Sequence, residues 1–251
     1  MATRWRLPQH AQIRKLCAAL AALLVCQAAP AQAPSPVRGN VPDTIAERVA
    51  ACMSCHGAQG RATSGGYFPR IAGKPQGYLF NQLVSFREGR RRNTTMNYLV
   101  ANLPDAFLFE IAGYFAAQNP PYPPPQPVTD AAATLKRGRV LATTGDAGKK
   151  LPACAACHGN ALGGVAPAVP GLIGLPRDYV NSQLGAWKNG ERRASAPDCM
   201  AQIAGRLSAD DLGAISAYLA AQAPPDHAAP APAAVAPPPL ECGSITARSA
   251  P

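Results

Sequence analysis

The chain has 251 residues, with 24 Lys and Arg against 14 Asp and Glu and a formal charge of +10. Such a length is enough for two small domains. Its 27 prolines and 22 glycines break it into short segments, and no stretch approaches the run of about eighteen apolar residues that a bilayer span requires.

At the N-terminus, Arg4, Arg6, Arg14 and Lys15 precede the apolar run LCAALAALLV and the small-residue stretch QAAPAQAPS. These are the n-region, h-region and cleavage zone of a secretory signal over residues 1–31, and cleavage after Ala31 satisfies the Ala-x-Ala rule. Cys26 would suit a lipoprotein anchor, but Val25 before it is bulkier than such a site normally takes. An exported, periplasmic protein is therefore expected. Four basic residues leave with the signal, so the mature chain carries +6. Residues 32–127 hold nine basic and five acidic groups and residues 128–223 ten and seven, which makes neither half a charged docking pole.

Next in the chain comes AACMSCHG, with Cys52, Cys55 and His56; the pattern returns in LPACAACHG, with Cys154, Cys157 and His158. A Cys-x-x-Cys pair can be a redox dithiol, half of a zinc site, or the attachment point of a covalent haem whose iron takes the adjacent histidine. A dithiol has no need of a histidine locked behind its second cysteine. Zinc pooled from both pairs would meet six ligands where four are wanted. On a helix, positions i, i+3 and i+4 share one face, so both thiols would project toward the vinyl edge of a porphyrin and the imidazole toward its iron. The haem reading uses every residue of both motifs, and two covalently bound c-type haems are expected.

The segments that follow the motifs repeat each other. FPRIAGKPQGYLFNQLVSFREGRRR matches VPGLIGLPRDYVNSQLGAWKNGERR without a gap, pairing Gly73 with Gly174, Pro75 with Pro176, Tyr78 with Tyr179, Gln82 and Leu83 with Gln183 and Leu184, Phe86 with Trp187, and Gly89 with Gly190, each 101 residues apart. The second copy then gains three residues, and the match resumes at an offset of 104 with Met96 and Met200 and with Tyr114 and Tyr218. A duplicated domain is the consequence, with one haem domain over 41–118 and another over 128–222. Between them NPPYPPPQP, residues 119–127, reads as a stiff polyproline spacer. Residues 223–251 are rich in Pro and Ala without periodicity and read as a disordered tail.

Within each copy the apolar spacing is helical. Tyr78, Leu79, Gln82, Leu83 and Phe86 fall on one face, as do Leu108, Ile111, Ala112 and Phe115. Ser208 with Asp211 forms a capping-box signature ahead of Leu212, Ile215 and Leu219. No strand signal competes. The expected fold class is all-α, two tandem domains of about three helices, each wrapped on a haem that supplies much of the core.

The remaining axial ligand follows by elimination. A haem-bound histidine is usually paired with a second histidine or a methionine. Of the four histidines, His10 lies in the signal and His227 in the tail; of the four methionines, Met1 is lost and Met53 sits inside the first motif. That leaves Met96 and Met200, one per domain, 40 and 42 residues past His56 and His158. Methionine ordinarily fills core space, and Tyr, Lys or an open position are the alternatives at the iron.

The paired CHG motifs, the Gly-x-Pro-x-x-Tyr-x-x-x-Gln-Leu segment, the basic Gly-Arg turn and the Met ahead of a Leu-Ser-x-x-Asp-Leu helix resemble cytochrome c4, the two-haem branch of the small class I cytochromes c, from about Asp43 to Gln222. That resemblance implies two cytochrome domains packed face to face, each haem low-spin with His/Met ligands, carrying electrons in the periplasm toward terminal oxidases or between respiratory partners. Three features depart from the pattern: Pro104-Asp105 in place of a Ser cap, Cys199 directly before Met200, and the long tail with Cys242.

An iron with both axial positions held by protein exchanges electrons without binding substrate, so a carrier rather than an enzyme is expected. Its partners would be redox proteins: a terminal oxidase, a quinol-oxidising complex or a periplasmic dehydrogenase. Nucleic acid does not fit an exported haem protein, while peripheral membrane association and oligomeric state stay open. The alternative is a haem-bearing electron-transfer subunit of a periplasmic dehydrogenase complex; a di-haem peroxidase fits poorly because both domains keep a methionine. Arg87, Arg90, Arg91 and Arg92, repeated as Lys188, Arg192 and Arg193, read as a solvated turn or as partners of haem propionates, or else as a face that steers acidic partners. Cys199 and Cys242 are the thiols left over. A disulfide between them would tie the tail to the Met200 loop, unless Cys199 is a small buried residue and Cys242 pairs with another chain.

Overall fold

The computed structural model describes residues 43–63, 67–127, 129–224, 229–232 and 237–245. The signal over 1–31, with Cys26, and His227 lie outside these residues. In the first half the chain forms α1 (Ile45–Arg48), α2 (Ala50–His56), α3 (Gln76–Arg87), α4 (Thr94–Val100) and α5 (Asp105–Ala116). The face read for α5 is its packing surface, whereas in α3 only Leu79 and Phe86 of the expected face are buried and Phe80 and Val84 join them against Leu108, Ile111 and Phe115, while Tyr78 and Gln82 turn to the other half. Phe80 and Phe115 are each 2% exposed, and burying each side chain contributes roughly 2–3 kcal/mol.

The second half repeats the plan with α6 (Ala132–Thr143), α7 (Ala155–His158), α8 (Arg177–Lys188), α9 (Cys199–Arg206) and α10 (Ala209–Ala220). Its own apolar cluster joins Leu141 of α6, Val180 and Leu184 of α8, and Ile215 and Leu219 of α10. The expected capping box closes α10: Ser208 Oγ accepts from Asp211 N and the Asp211 carboxylate accepts from Ser208 N, both at 3.2 Å. In the first half Pro104 offers no side-chain cap. There Arg87 donates to Leu103 O at 2.8 Å and pairs with Asp105.

Among the described residues each half thus has five α-helices rather than about three. The long one that the apolar spacing missed is α6, whose buried residues are only Gly138, Leu141 and Ala142. Gly138 lets α6 lie backbone to backbone on α10, since a Cβ there would stand 2.0 Å from Ala214 O. A second departure is a two-residue antiparallel pair, β1 (Gly164–Val165) with β2 (Val169–Pro170). It is too short for a period-two pattern, and Val165 also makes a parallel bridge to Ala231.

The halves meet through their basic turns, which pair as a pseudo-twofold. Arg92 N donates to Glu191 O at 2.9 Å and Arg193 N to Arg90 O at 2.7 Å, each relation being the other shifted by 101 residues. Arg91 reaches Gln82, Gln183 and Tyr179, while Arg192 reaches Gln183, Gln82 and Tyr78. A solvated turn therefore does not describe Arg91 and Arg192; Arg192 is only 5% exposed.

Residues 119–127 form neither helix nor strand, and they are pinned rather than free. Arg70 donates to Pro120 O at 2.6 Å and Pro121 O at 3.1 Å and stacks on Tyr122, and Gln126 N donates to Ala220 O. The expectation of a disordered tail is corrected where residues 229–232 and 237–245 are concerned. Ala231 joins Val165 in a parallel bridge, and Cys242 forms a disulfide with Cys199. Covalent closure and backbone pairing hold a segment whose composition offers no apolar face of its own. Among the described residues no single helix is long and apolar enough to cross a membrane.

Candidate haem sites

Each attachment motif ends a helix at its histidine. In α2 the helix carries Cys52, Cys55 and His56, and Gly57 terminates it at φ +74°. In the second half Cys154 caps α7, which ends at His158 before Gly159 at φ +82°. Left-handed φ of this kind favours glycine. At Gly57 a Cβ would also lie 2.3 Å from Ala62 O, so the sharp exit behind the histidine depends on its absence.

Both histidines are buried, at 8% exposure. His56 Nδ1 donates to Pro69 O at 2.9 Å and His158 Nδ1 to Pro170 O at 2.7 Å. A carbonyl can only accept, so the bond fixes the tautomer with Nδ1 protonated and leaves Nε2 as an unprotonated donor for a metal. Burial pushes both imidazoles below the ordinary histidine range and keeps them neutral. Pro69 and Pro170 were not singled out by motif, although they stand 101 residues apart in the gapless repeat, and that alignment was the signal that could have found them.

Neither pair is closed into a disulfide. Burial raises Cys52 and Cys157 and pushes Cys154 up to about 11. Among the described residues no group of three or more His, Cys, Asp and Glu is arranged to hold a metal ion, so the two motifs do not pool into one site. Cys52 and Met96 pack on the first apolar cluster, and Cys154 and Met200 on the second. Asn93 caps α4 by accepting from Met96 N at 3.0 Å; Asp198 caps α9 by accepting from Ala201 N at 2.9 Å. Each methionine therefore sits in a first helical turn whose start is fixed by a side chain.

A c-type haem needs two thiols, an axial nitrogen, apolar walls and partners for two carboxylates. The last requirement is met at the junction of the halves. Lys74, Arg91 and Arg192 are drawn in there without a carboxylate in ion-pair range among the described residues. Among the described residues Lys74 Nζ donates to Gly171 O at 3.0 Å, and burial lowers its ammonium to about 8. Burial, then Arg91, lowers Arg192. Trp187 Nε1 is buried without a hydrogen-bond partner among the described residues. Uncompensated cations and an orphaned N–H are costly, and an anionic cofactor at this place would satisfy them. The residues present fit the group.

Comparison with known proteins agrees. The Cytochrome c family profile matches residues 145–223. The chain is 36% identical over 173 residues to the thiosulfate dehydrogenase electron acceptor of Thiomonas intermedia, covering 69% of this chain and 79% of that one. It is 34% identical over 174 residues to cytochrome c4 of Pseudomonas aeruginosa, covering 68% and 84%. The crystal structure of reduced recombinant cytochrome c4 from Pseudomonas stutzeri superposes with a TM-score of 0.61 at 29% identity, covering 70% of this chain and 96% of that one. With two attachment motifs, a duplicated helical fold and these relatives, the chain belongs to the cytochrome c4 family and is an electron-transferring cytochrome with two covalently bound c-type haems.

Proposed function

We propose that the chain is exported to the periplasm with loss of residues 1–31 and relays electrons there between a dehydrogenase or quinol-oxidising complex and an acceptor such as a terminal oxidase. Its two haem domains are 41–118 and 128–222, joined by 119–127. Cys52 and Cys55 anchor one haem and Cys154 and Cys157 the other; His56 with Met96 and His158 with Met200 are the axial pairs. When bound, the haem supplies a reversible one-electron change between ferric and ferrous iron. The chain holds the donors in place and excludes water. His56 and His158 are oriented by the prolyl carbonyls. Thioether sulfur favours the reduced metal and raises the potential, and walls such as buried Phe86 act in the same direction. With protein donors on both sides, the bound iron would have no place for a substrate, which suits a carrier rather than an enzyme.

The repeated His–Pro bond, made in both halves by residues 101 apart in the repeat, is the observation that supports this reading most. A role as the haem-bearing subunit of a dehydrogenase is the second reading, favoured by the likeness to a protein named thiosulfate dehydrogenase electron acceptor. Denaturing mass spectrometry of protein exported in a cytochrome-maturing host should add two haem masses, and one or none would end the two-domain reading. Met96→His and Met200→His should each remove part of the near-infrared sulfur-to-iron band and lower one potential. Co-purification with a catalytic subunit would favour the second reading over a free shuttle.

A further inference from the structure

We propose that the C-terminal tail is a covalent strap that positions Met200, performing in the second half a task that Asn97 performs in the first. The inference rests on the reading of Met96 and Met200 as axial ligands.

In the first half, seven residues lead from Gly89 to Met96, and one side chain braces them. Asn97 donates to Arg91 O at 3.0 Å and to the Phe86 carbonyl, and its Oδ1 accepts from Asn93 N at 2.7 Å. The repeat counterpart of Asn97, 104 residues on, is Ala201, which can do none of this. Ten residues lead from Gly190 to Met200, so the unbraced segment is also longer by three. Asp198 still closes the last turn, accepting from Ala194 N at 2.6 Å and from Ala201 N at 2.9 Å. Among the described residues no hydrogen bond within the half ties residues 195–197 to the helix behind them.

The tail lands on those residues. Cys242 is bonded to Cys199, the neighbour of Met200, with their Cα atoms 5.1 Å apart. Gly243 N donates to Pro197 O at 2.9 Å. A Cβ on Gly243 would stand 2.0 Å from Ala196 O and 2.9 Å from Ser195 O, so tail backbone lies directly on the inserted residues. One residue further, the Ser244 carbonyl accepts from Asn81 Nδ2 at 3.0 Å; Asn81 is a buried residue of α3 in the first half. Upstream, Ala231 N donates to Gly164 O and its carbonyl accepts from Ala166 N, which fixes the other end of the tail to the second half. The loop bearing Met200 is thereby held between a covalent bond and the opposite half. A cross-link and a close backbone contact remove open conformations that a longer, unbraced loop would otherwise sample.

An exogenous ligand competes only with the open loop, so its apparent affinity scales with the open fraction. The ferric di-haem protein is titrated with imidazole in native form and as the Cys199→Ser/Cys242→Ser variant. Alkylation of the unreduced, denatured native protein should label neither cysteine. The double variant should show about tenfold or greater gain in imidazole affinity at one haem, as expected if the open fraction rises by that factor. Adding Met200→His should abolish the gain, whereas adding Met96→His should leave it. Asn97→Ala should produce the matching response at the other haem. Gly243→Val, which keeps both cysteines but cannot lie on Ala196, should give the same selective response if the double variant does not fold. Labelling of both cysteines in native protein, equal response of both haems, or native imidazole affinity in a double variant that keeps two haems and its helicity would overturn the strap. If Met200→His leaves the sulfur-to-iron band and both potentials unchanged, the ligand reading itself fails; if it removes its share while the cysteine variant behaves as native, the strap alone fails.

Discussion

Two glycines on facing helices test the packing of α6 against α10. By intrinsic propensity they should behave alike, because Ala is about 1 kcal/mol more favourable than Gly in a helix interior. Their surroundings differ. At Gly138 a Cβ would lie 2.0 Å from Ala214 O and 2.7 Å from both Ala214 C and Tyr218 Cβ; at Gly213 nothing lies within 4 Å. Ala214 is fixed by the hydrogen bonds of α10, so the helices must separate by more than an ångström to admit a methyl group. Separation would loosen Leu141 against Leu219 in the second apolar cluster. Overpacking of this sort costs about 1–3 kcal/mol, and the propensity gain offsets only part of it. Gly138→Ala should therefore destabilise by about 1–2 kcal/mol, lowering the melting temperature by roughly 5–15 °C for a domain of this size. Gly213→Ala should stabilise by about 0.5–1 kcal/mol. Thermal unfolding followed by circular dichroism, with haem content matched between variants, reads both. A Gly138→Ala protein that melts at or above the native temperature would refute the backbone-on-backbone contact.

Burial alone would raise the Asp211 carboxyl, but hydrogen bonds from Lys149 and Arg137 more than offset it and hold the group well below the usual carboxylate range. A carboxyl lowered on folding contributes stability above its unfolded value of about 4, and that contribution is lost as pH falls through the folded value. Asp211→Asn should thus cost about 2 kcal/mol at pH 7, reduced from a fully buried pair because Arg137 and Lys149 stay partly solvated, and should flatten the acid limb of the stability profile; an unchanged limb in urea titrations between pH 5 and 3 would count against it. Trp187→Phe copies Phe86 of the first half and removes the orphaned buried Nε1. If that N–H donates to a haem carboxylate, the variant should lower one haem potential by some tens of millivolts, as loss of one hydrogen bond to a charged group implies, and leave the other in place in a spectroelectrochemical titration. Equal shifts of both would argue that the indole faces neither carboxylate.

Much of the fold was legible because the chain states it twice. The apolar positions of α3 and α5 and the Ser208 capping box are local signals, and the gapless repeat carried them from one half to the other. What stayed hidden depends on atoms that a side-chain pattern does not represent. Helix α6 shows few apolar positions, and its central Gly138 reads as a weak point when it is in fact where two backbones touch. Pro69 and Pro170 act through their carbonyls, which every residue has. The tail offers no periodicity, and only the odd pair Cys199 and Cys242 hinted that it returns to the body of the protein. Charge was misleading in its turn, because a run of arginines looks solvated whether or not two of them point inward.

The differences between the copies are not spread evenly. Across the interface the duplication is nearly intact: Arg91 and Arg192 each reach both Gln82 and Gln183, and the backbone bonds between the basic turns repeat at the same offset. Substitution of one partner is felt by both halves, which resists independent drift. Pro104 and Ser208, and Asn97 and Ala201, lie on segments away from these bonds, and there the copies have diverged, as they have at Phe86 and Trp187 beneath the two interface arginines. Two haems held at this junction in different surroundings would differ in potential while their separation stayed fixed. A difference gives electron flow a direction, and a fixed separation keeps the transfer between them fast in either state. On the proposed ligation, the paired turns would fix the separation and the loops bearing Met96 and Met200 would supply the difference.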